Sequence, residues 1–273
     1  MNYPDAIVLG IVEGLTEFLP VSSTGHLTIA EKLLHHKIDD PGVTAFTAVI
    51  QVGAIAAVLV YFWGDIWRIA KAWCAGVFRP EYRGTLDHRM GWYIIVGSIP
   101  IGIVGFAAKD AISGDLRSLW VVAGALIIWS GAMLFAERRG TQERGEEALT
   151  LRDALTMGLV QCLALIPGVS RSGASISAGL VQGLDRVTAT KMSFYLGIPS
   201  LVGAGLYELK DVGGIGAGET IVGTLVAFAV AYVSVAWLLK FVAHHSIGKF
   251  VPYRVALGVV LLVLLATNVM TAT

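Results

Sequence analysis

The stretch Glu13–His26, with the sequence EGLTEFLPVSSTGH, decides the fold of this chain. It contains the end of a short apolar segment, Asp5–Leu19, which is followed by the break Pro20–Gly25 and by a second short segment, Leu27–His35. Neither segment is long enough to cross ~30 Å of hydrocarbon. Broken backbone at membrane depth persists only where it is buried in protein or lines a wet cavity. The stretch therefore predicts a re-entrant hairpin made of two half-helices.

The same arrangement recurs 148 positions later. The short apolar segment Asp153–Ile166 is interrupted by Pro167–Gly173, with the sequence PGVSRSG, and is followed by Ala174–Leu184. The identities fall on the breaks rather than on generic apolar positions, which favours an internal repeat over chance. The matching pairs are Gly10 and Gly158, Val12 and Val160, Leu15 and Leu163, Val21 and Val169, Ser22 and Ser170, Thr24 and Ser172, Gly25 and Gly173, and Phe46 and Phe194.

Composition and apolar blocks predict an all-α polytopic membrane protein. The 273 residues are 55% hydrophobic and only 15% charged, with a mean hydropathy of +0.71, whereas soluble domains carry about a quarter charged residues. A formal net charge of zero provides no basic face, which argues against a nucleic-acid partner. Six segments are long enough to span a bilayer: Thr44–Trp63, Trp92–Lys109, Leu119–Ala136, Ala189–Leu209, Thr220–Leu239 and Pro252–Thr271.

Each half of the chain therefore consists of one broken hairpin and three spans. Because three is an odd number, the second half enters the membrane from the opposite side, which predicts an inverted-topology repeat within a single membrane domain, residues 1–273. Repeat 1 covers about residues 5–136 and repeat 2 about residues 153–271. In such repeats the functional site is expected where the two breaks meet.

The charges of the loops predict the orientation. Three loops are rich in Lys and Arg, namely Gly64–Gly91, Glu137–Arg152 and Lys240–Arg254, with Arg254 counted among the charges of the last one. The loops Asp110–Ser118 and Lys210–Glu219 are poor in them. The positive-inside rule places the basic loops in the cytoplasm and both termini outside.

Two acidic residues lie within the first apolar segment. Glu13 and Glu17 are four residues apart, so they share one face of a helix. A carboxylate in such a segment costs several kcal/mol unless it is paired, solvated or bound to metal. The pair therefore indicates a functional site more than a structural accident.

Both breaks carry hydroxyl groups where the chain enters the next half-helix. Ser22, Ser23 and Thr24 are suited to ordinary N-capping, but the same geometry binds phosphate, and the second break adds Arg171. A guanidinium fork matches phosphate oxygens, although a salt bridge to Glu13 or Glu17 is the alternative role for Arg171. His26 is either a hydrogen-bonded structural residue or a group for proton transfer.

These residues carry a resemblance. Glu13–His26 resembles the first signature of the undecaprenyl-diphosphate phosphatase (bacitracin-resistance) family, and Pro167–Ser175, with the sequence PGVSRSGAS, resembles the second. The likeness in length and span layout covers essentially the whole chain. Ser175 stands where the family usually has Thr, so the hydroxyl is kept.

The resemblance implies removal of the terminal phosphate of a C55 polyprenyl diphosphate, which recycles the carrier lipid of peptidoglycan synthesis. It also implies a divalent cation, a place in the bacterial cytoplasmic membrane among its lipids, and an active site open to the external, periplasmic side. The runner-up function is a polyprenyl-phosphate lipid transporter or flippase, because inverted repeats and broken helices are transporter features. The sequence does not decide between a monomer and a homodimer.

The expected mechanism assigns roles within the two signatures. Arg171 holds the phosphoryl group and offsets charge in the transition state. Glu13 and Glu17 bind Mg²⁺ or Ca²⁺, since hard cations prefer oxygen ligands. Ser23 is the expected nucleophile, with His26 or Glu17 as its base; His26 as nucleophile and direct attack by water stay open as alternatives. The substrate-binding residues are expected to be Ser22, Thr24, Ser170, Ser172 and Gly173.

Overall fold

The computed structural model of this chain describes residues 1–36, 40–109, 116, 118–208 and 216–272, and the description below is confined to them. They form eleven α-helices joined by turns and short 3₁₀ segments, and this described part contains no β-strand. The helices are α1 Tyr3–Thr16, α2 Ser23–Leu33, α3 Pro41–Tyr61, α4 Trp63–Phe78, α5 Leu86–Ala107, α6 Leu119–Arg139, α7 Leu151–Gln161, α8 Arg171–Val181, α9 Arg186–Glu208, α10 Ala217–His244 and α11 Val251–Ala266.

Five helical stretches are long and apolar enough to cross a membrane. They are Gly42–Tyr61, Leu86–Ala107, Leu119–Arg139, Ala217–His244 and Ile247–Ala266. Each overlaps one of the predicted spans, so the all-α polytopic class is confirmed. The sixth predicted span, Ala189–Leu209, corresponds to α9, which is not among the five. That helix is more polar because it carries Thr188, Thr190 and Ser193, all of them buried in the protein.

Both predicted breaks interrupt helices at the expected places. The first lies between α1 and α2, and the second between α7 and α8, where a 3₁₀ turn, Cys162–Leu165, precedes it. The half-helices begin slightly earlier than expected, since α2 starts at Ser23 and α8 at Arg171. The hydroxyl-bearing residues of the breaks therefore lie at or directly before helix N-termini.

The expected basic loops are more ordered than the sequence analysis assumed. Most of Gly64–Gly91 is helical, because it contains α4 and the start of α5. The third loop, Lys240–Arg254, is almost entirely helical, since α10 runs to His244 and a short 3₁₀ helix leads into α11. The assignment of Arg254 to the charges of this loop is wrong, because Arg254 is fully buried inside α11. Of the weakly charged loops, residues 110–115, 117 and 210–215 lie outside the described residues.

The half-helices pack against long helices through glycine. A Cβ added to Gly10 would lie 2.6 Å from the carbonyl oxygen of Gly223, and one added to Gly14 would lie 2.6 Å from that of Ala227. The backbones of α1 and α10 therefore approach closely. On the other half-helix, a Cβ at Gly158 of α7 would overlap the carbonyl oxygen of Gly97 in α5. These contacts hold α1 against α10 and α7 against α5.

Candidate active site

Two serines in left-handed backbone conformations join the breaks to each other. Ser22 has a φ of 79° and Ser170 a φ of 78°, a region that non-glycine residues enter only when the surroundings compensate the cost. The Ser22 hydroxyl accepts a hydrogen bond from the Gly168 N–H at 3.1 Å, and the Ser170 hydroxyl donates to the Leu19 carbonyl at 3.4 Å. Ser22 is thus bonded to the opposite break and Ser170 to the residue directly before the opposite break, so the breaks predicted from sequence to meet do so.

Arg254 lies between the breaks and bonds to both. Its guanidinium is completely buried. Nη1 donates to the Pro20 carbonyl at 2.9 Å, and Nη2 donates to the carbonyls of Gly168 and Val169 at 2.9 and 3.2 Å. Nε donates to the Ser130 hydroxyl of α6 at 3.2 Å. A buried cation with these partners holds the two breaks at a fixed separation and adds positive charge beneath them.

Glu17 connects residues of both breaks. Its Oε2 accepts a hydrogen bond from the Ser23 hydroxyl at 2.6 Å, and its Oε1 lies 3.4 Å from Nη2 of Arg171. The Arg171 guanidinium also faces the ring of Phe18, 5.8 Å from its centroid. A carboxylate, a hydroxyl and a guanidinium thus meet at one point. The salt bridge considered for Arg171 from the sequence is formed, and its partner is Glu17.

His26 is held by two groups on opposite sides of its ring. Nδ1 lies 2.7 Å from the Ser22 carbonyl oxygen, and Nε2 lies 2.6 Å from the Tyr253 hydroxyl. The two rings stack with centroids 5.6 Å apart. His26 lies one turn along α2 from Ser23, yet the Ser23 hydroxyl is bonded to Glu17 instead. This geometry fits Glu17 as the base for Ser23 better than it fits His26.

The remaining predicted residues differ in exposure. Glu13 lies one helical turn before Glu17 and is buried. Thr24 is exposed at the start of α2. Ser172 is fully buried, and its hydroxyl lies 3.2 Å from that of Ser170, which in turn accepts from the Gly173 N–H. The substrate-binding set expected from sequence therefore lies at the two helix N-termini, where Thr24 is exposed and Ser22, Ser170, Ser172 and Gly173 are buried.

Few carboxylates among the described residues are placed where they could bind a metal ion. No group of three or more His, Cys, Asp or Glu side chains is arranged there to hold a metal ion. Glu13 and Glu17 nevertheless fit the mode in which Mg²⁺ is bound by one or two carboxylates and completed by waters and substrate phosphates. The donor set is therefore compatible with a hard cation that arrives with its substrate.

Comparison with known proteins identifies the family. The family model described as bacitracin resistance protein BacA matches residues 6–260. This chain belongs to the BacA family. It is a multi-pass membrane protein, in keeping with its five long apolar helices. Similar proteins include "Undecaprenyl-diphosphatase 3" of Frankia casuarinae, 58% identical over all of both chains. "Undecaprenyl-diphosphatase 1" of Streptomyces coelicolor is 58% identical over 97% of this chain and 96% of the relative. "Undecaprenyl-diphosphatase" of Acidothermus cellulolyticus is 53% identical over all of both chains.

Three residues of the site were missed by the sequence reasoning. Arg254 and Tyr253 lie where the predicted basic loop Lys240–Arg254 overlaps the predicted span Pro252–Thr271, and Ser193 of α9 lies in another predicted span, without a role in the site. Ser193 accepts from Nη1 of Arg171 through its carbonyl at 3.5 Å, and its hydroxyl lies 2.6 Å from that of Ser175. The sequence signal that could have found Arg254 was a charged residue at the start of an apolar block. In this chain of the BacA family, Arg254 is buried within that helix.

Proposed function

We propose that this protein hydrolyses undecaprenyl diphosphate to the monophosphate and inorganic phosphate, and thereby regenerates the carrier lipid of cell-wall synthesis. The observation that carries the proposal is the bonding of Glu17 to both Ser23 and Arg171, which joins groups from the two breaks. Relatives covering the whole chain at 53 and 58% identity are named undecaprenyl-diphosphatases, which supports this substrate.

The roles follow from these contacts. The Ser23 oxygen attacks the terminal phosphorus while its proton passes to Oε2 of Glu17, 2.6 Å away. The bond from that phosphorus to the bridging oxygen breaks, and the lipid monophosphate leaves with the bridging oxygen. Arg171 offsets the charge that develops on the phosphoryl oxygens. Water then attacks the phosphoserine, inorganic phosphate is released, and Ser23 regains its proton.

Two rival routes use the same residues. In one, His26 is the nucleophile, and in the other, water attacks the phosphorus directly. The first route requires one ring nitrogen of His26 to lose its hydrogen bond with either the Ser22 carbonyl or the Tyr253 hydroxyl. Trapped ³²P-labelled enzyme distinguishes the routes, because phosphoserine survives acid, phosphohistidine does not, and direct hydrolysis leaves no label.

Phosphate binding is assigned to the helix N-termini. Ser22 and Thr24 lie at the N-terminus of α2, which carries Ser23, and Ser170, Ser172 and Gly173 lie at that of α8, which carries Arg171. Helix N-termini favour anions through their free N–H groups and dipole. The exposed Thr24 marks the side from which the diphosphate enters while the prenyl tail stays in lipid.

A divalent cation, Mg²⁺ or Ca²⁺, is proposed to be held by Glu13 and Glu17. Bound there, it supplies positive charge toward the diphosphate oxygens. Arg171 and Arg254 provide the permanent positive charge of the site, so the chain's own residues balance part of the substrate's negative charge.

We further propose that the chain is an inverted-topology repeat with six spans, α9 being the sixth, and that its site opens to the external side. Supporting this, Gly10 and Gly158, which match at the repeat offset, both pack on long helices of the opposite repeat, α10 and α5. Ser22 and Ser170, matched in the same way, share one unusual backbone conformation. The basic residues at positions 68–89 and 138–152 support a cytoplasmic location for those segments.

A flippase is the second candidate, favoured by the two broken helices. Turnover separates the two functions. Purified protein in detergent, where no second compartment exists, should release phosphate from undecaprenyl diphosphate, and EDTA should suppress this release. A pure transporter releases none. Absence of phosphate release by well-folded protein with added Mg²⁺ or Ca²⁺ would contradict the phosphatase assignment.

A further inference from the structure

The Tyr253 hydroxyl contacts Nε2 of His26, the ring nitrogen that is able to accept a proton. The Ser22 carbonyl, 2.7 Å from Nδ1, can only accept a hydrogen bond. Nδ1 must therefore carry the ring's hydrogen, and in the neutral imidazole Nε2 is the basic nitrogen. The Tyr253 hydroxyl lies 2.6 Å from Nε2 and donates to it. The tautomer of His26 is thus fixed by a backbone carbonyl on one side and a phenol on the other.

The ring plane of His26 is fixed as well. The rings of His26 and Tyr253 stack at a 17° interplanar angle with centroids 5.6 Å apart. Tyr253 lies in the first turn of α11, next to Arg254, whose guanidinium holds both breaks. The helix that sets the distance between the breaks therefore also sets the position of His26.

We infer that Tyr253 is a positioning residue for the phosphatase reaction: through its hydroxyl it holds His26 in the Nδ1–H tautomer with Nε2 unprotonated, the form that His26 needs as a base or as a nucleophile. This inference rests on the proposed function. Tyr253 is itself half-exposed, so its hydroxyl is free to rotate away from Nε2 and leave that nitrogen open to accept a proton. Nothing covalent is required of the phenol.

The first test is a kinetic comparison. Tyr253→Phe keeps the stacked ring and removes only the hydroxyl. The loss of one orienting hydrogen bond should lower kcat about 3- to 10-fold and leave KM within about twofold. The matched control is Tyr232→Phe on α10, where the ring packs on Phe228 and Tyr61, and wild-type kinetics are expected. Unchanged kcat in Tyr253→Phe, or a raised KM at wild-type kcat, would overturn the inference, since the latter indicates direct contact with substrate.

The second test does not depend on turnover. Diethyl pyrocarbonate acylates an unprotonated imidazole nitrogen, and mass spectrometry of the His26 peptide gives the rate. Removing the hydroxyl from Nε2 should raise that rate several-fold in Tyr253→Phe, and Tyr232→Phe should match wild type. Equal rates in all three proteins would show that Tyr253 does not hold His26. A wild-type protein that releases no phosphate would instead refute the proposed function, and the acylation rates would still decide whether Tyr253 holds this histidine.

Discussion

Replacing Arg254 with methionine should separate the two breaks without creating a large void. The methionine keeps most of the apolar stem but removes four hydrogen bonds, three of them to the backbone carbonyls of Pro20, Gly168 and Val169. Bonds to charged groups contribute about 1.5–3 kcal/mol each, but they are not additive, and a buried carbonyl left without a donor costs about 1–3 kcal/mol. We therefore expect Arg254→Met to destabilise the protein by roughly 3–5 kcal/mol, less than the sum over its four bonds.

The loss in activity should be larger than stability alone explains. Ser22 and Ser170 keep their left-handed conformations only while both breaks are held in place, so kcat should fall on the order of 100-fold even at temperatures where the variant is folded. Arg254→Lys should be intermediate, because an ammonium group retains the charge but cannot reach all the carbonyls that a guanidinium fork reaches.

Thermal unfolding in detergent, followed by tryptophan fluorescence, and phosphate release at a temperature well below unfolding measure the two effects. Lys249→Met is the matched control, since it removes an exposed cation one turn earlier in the chain. An Arg254→Met protein with the Tm and kcat of Lys249→Met would refute the view that Arg254 holds the breaks together.

The other predictions concern the nucleophile, the carboxylates and the topology. Ser23→Ala should lower kcat by several orders of magnitude, whereas Ser22→Ala, which removes one hydrogen bond, should cost about 10–100-fold; the opposite order would exclude Ser23 as nucleophile. Glu13→Gln should weaken the response of phosphate release to added Mg²⁺, and an unchanged metal titration would make this carboxylate structural. In a cysteine-free background, a cysteine that replaces Glu81 should be shielded from an impermeant external reagent. A cysteine that replaces Gly216 should react with it, and the reverse labelling would show that the proposed orientation is inverted.

The helical breaks were predictable because local chemistry determines them. Proline, glycine and hydroxyl residues are clustered in Pro20–Gly25 and Pro167–Gly173, so these segments could be placed from sequence, whereas the single prolines Pro100 and Pro199 lie inside helices α5 and α9. The meeting of the breaks was predictable from the repeat, and the structure brings Ser22 and Ser170 into contact with the opposite break. The contact of Arg171 with Glu17 had been anticipated as an alternative role, without a choice between Glu13 and Glu17.

What could not be predicted depends on tertiary packing. Arg254 and Tyr253 come from α11, more than 200 residues after the first break, and no local pattern links them to it. Both lie where the predicted loop Lys240–Arg254 overlaps the predicted span Pro252–Thr271, and a buried arginine has the same sequence signature there as an interfacial one. The helix α4 was missed for a related reason: its apolar residues alternate with charges, and the charges alone were used to assign a loop.

The most direct test of the central claim is whether residues from the two breaks act as one site. Phosphate release from undecaprenyl diphosphate should be measured for wild type, Glu17→Gln, Arg171→Lys and the double variant, all checked for folding. Groups that act as a unit lose most of their effect with the first substitution. We predict that each single variant loses most of the wild-type kcat and that the double variant is no slower than the slower single variant. Losses that multiply in the double variant, or near-wild-type turnover in either single variant, would contradict a shared site at the junction of the breaks.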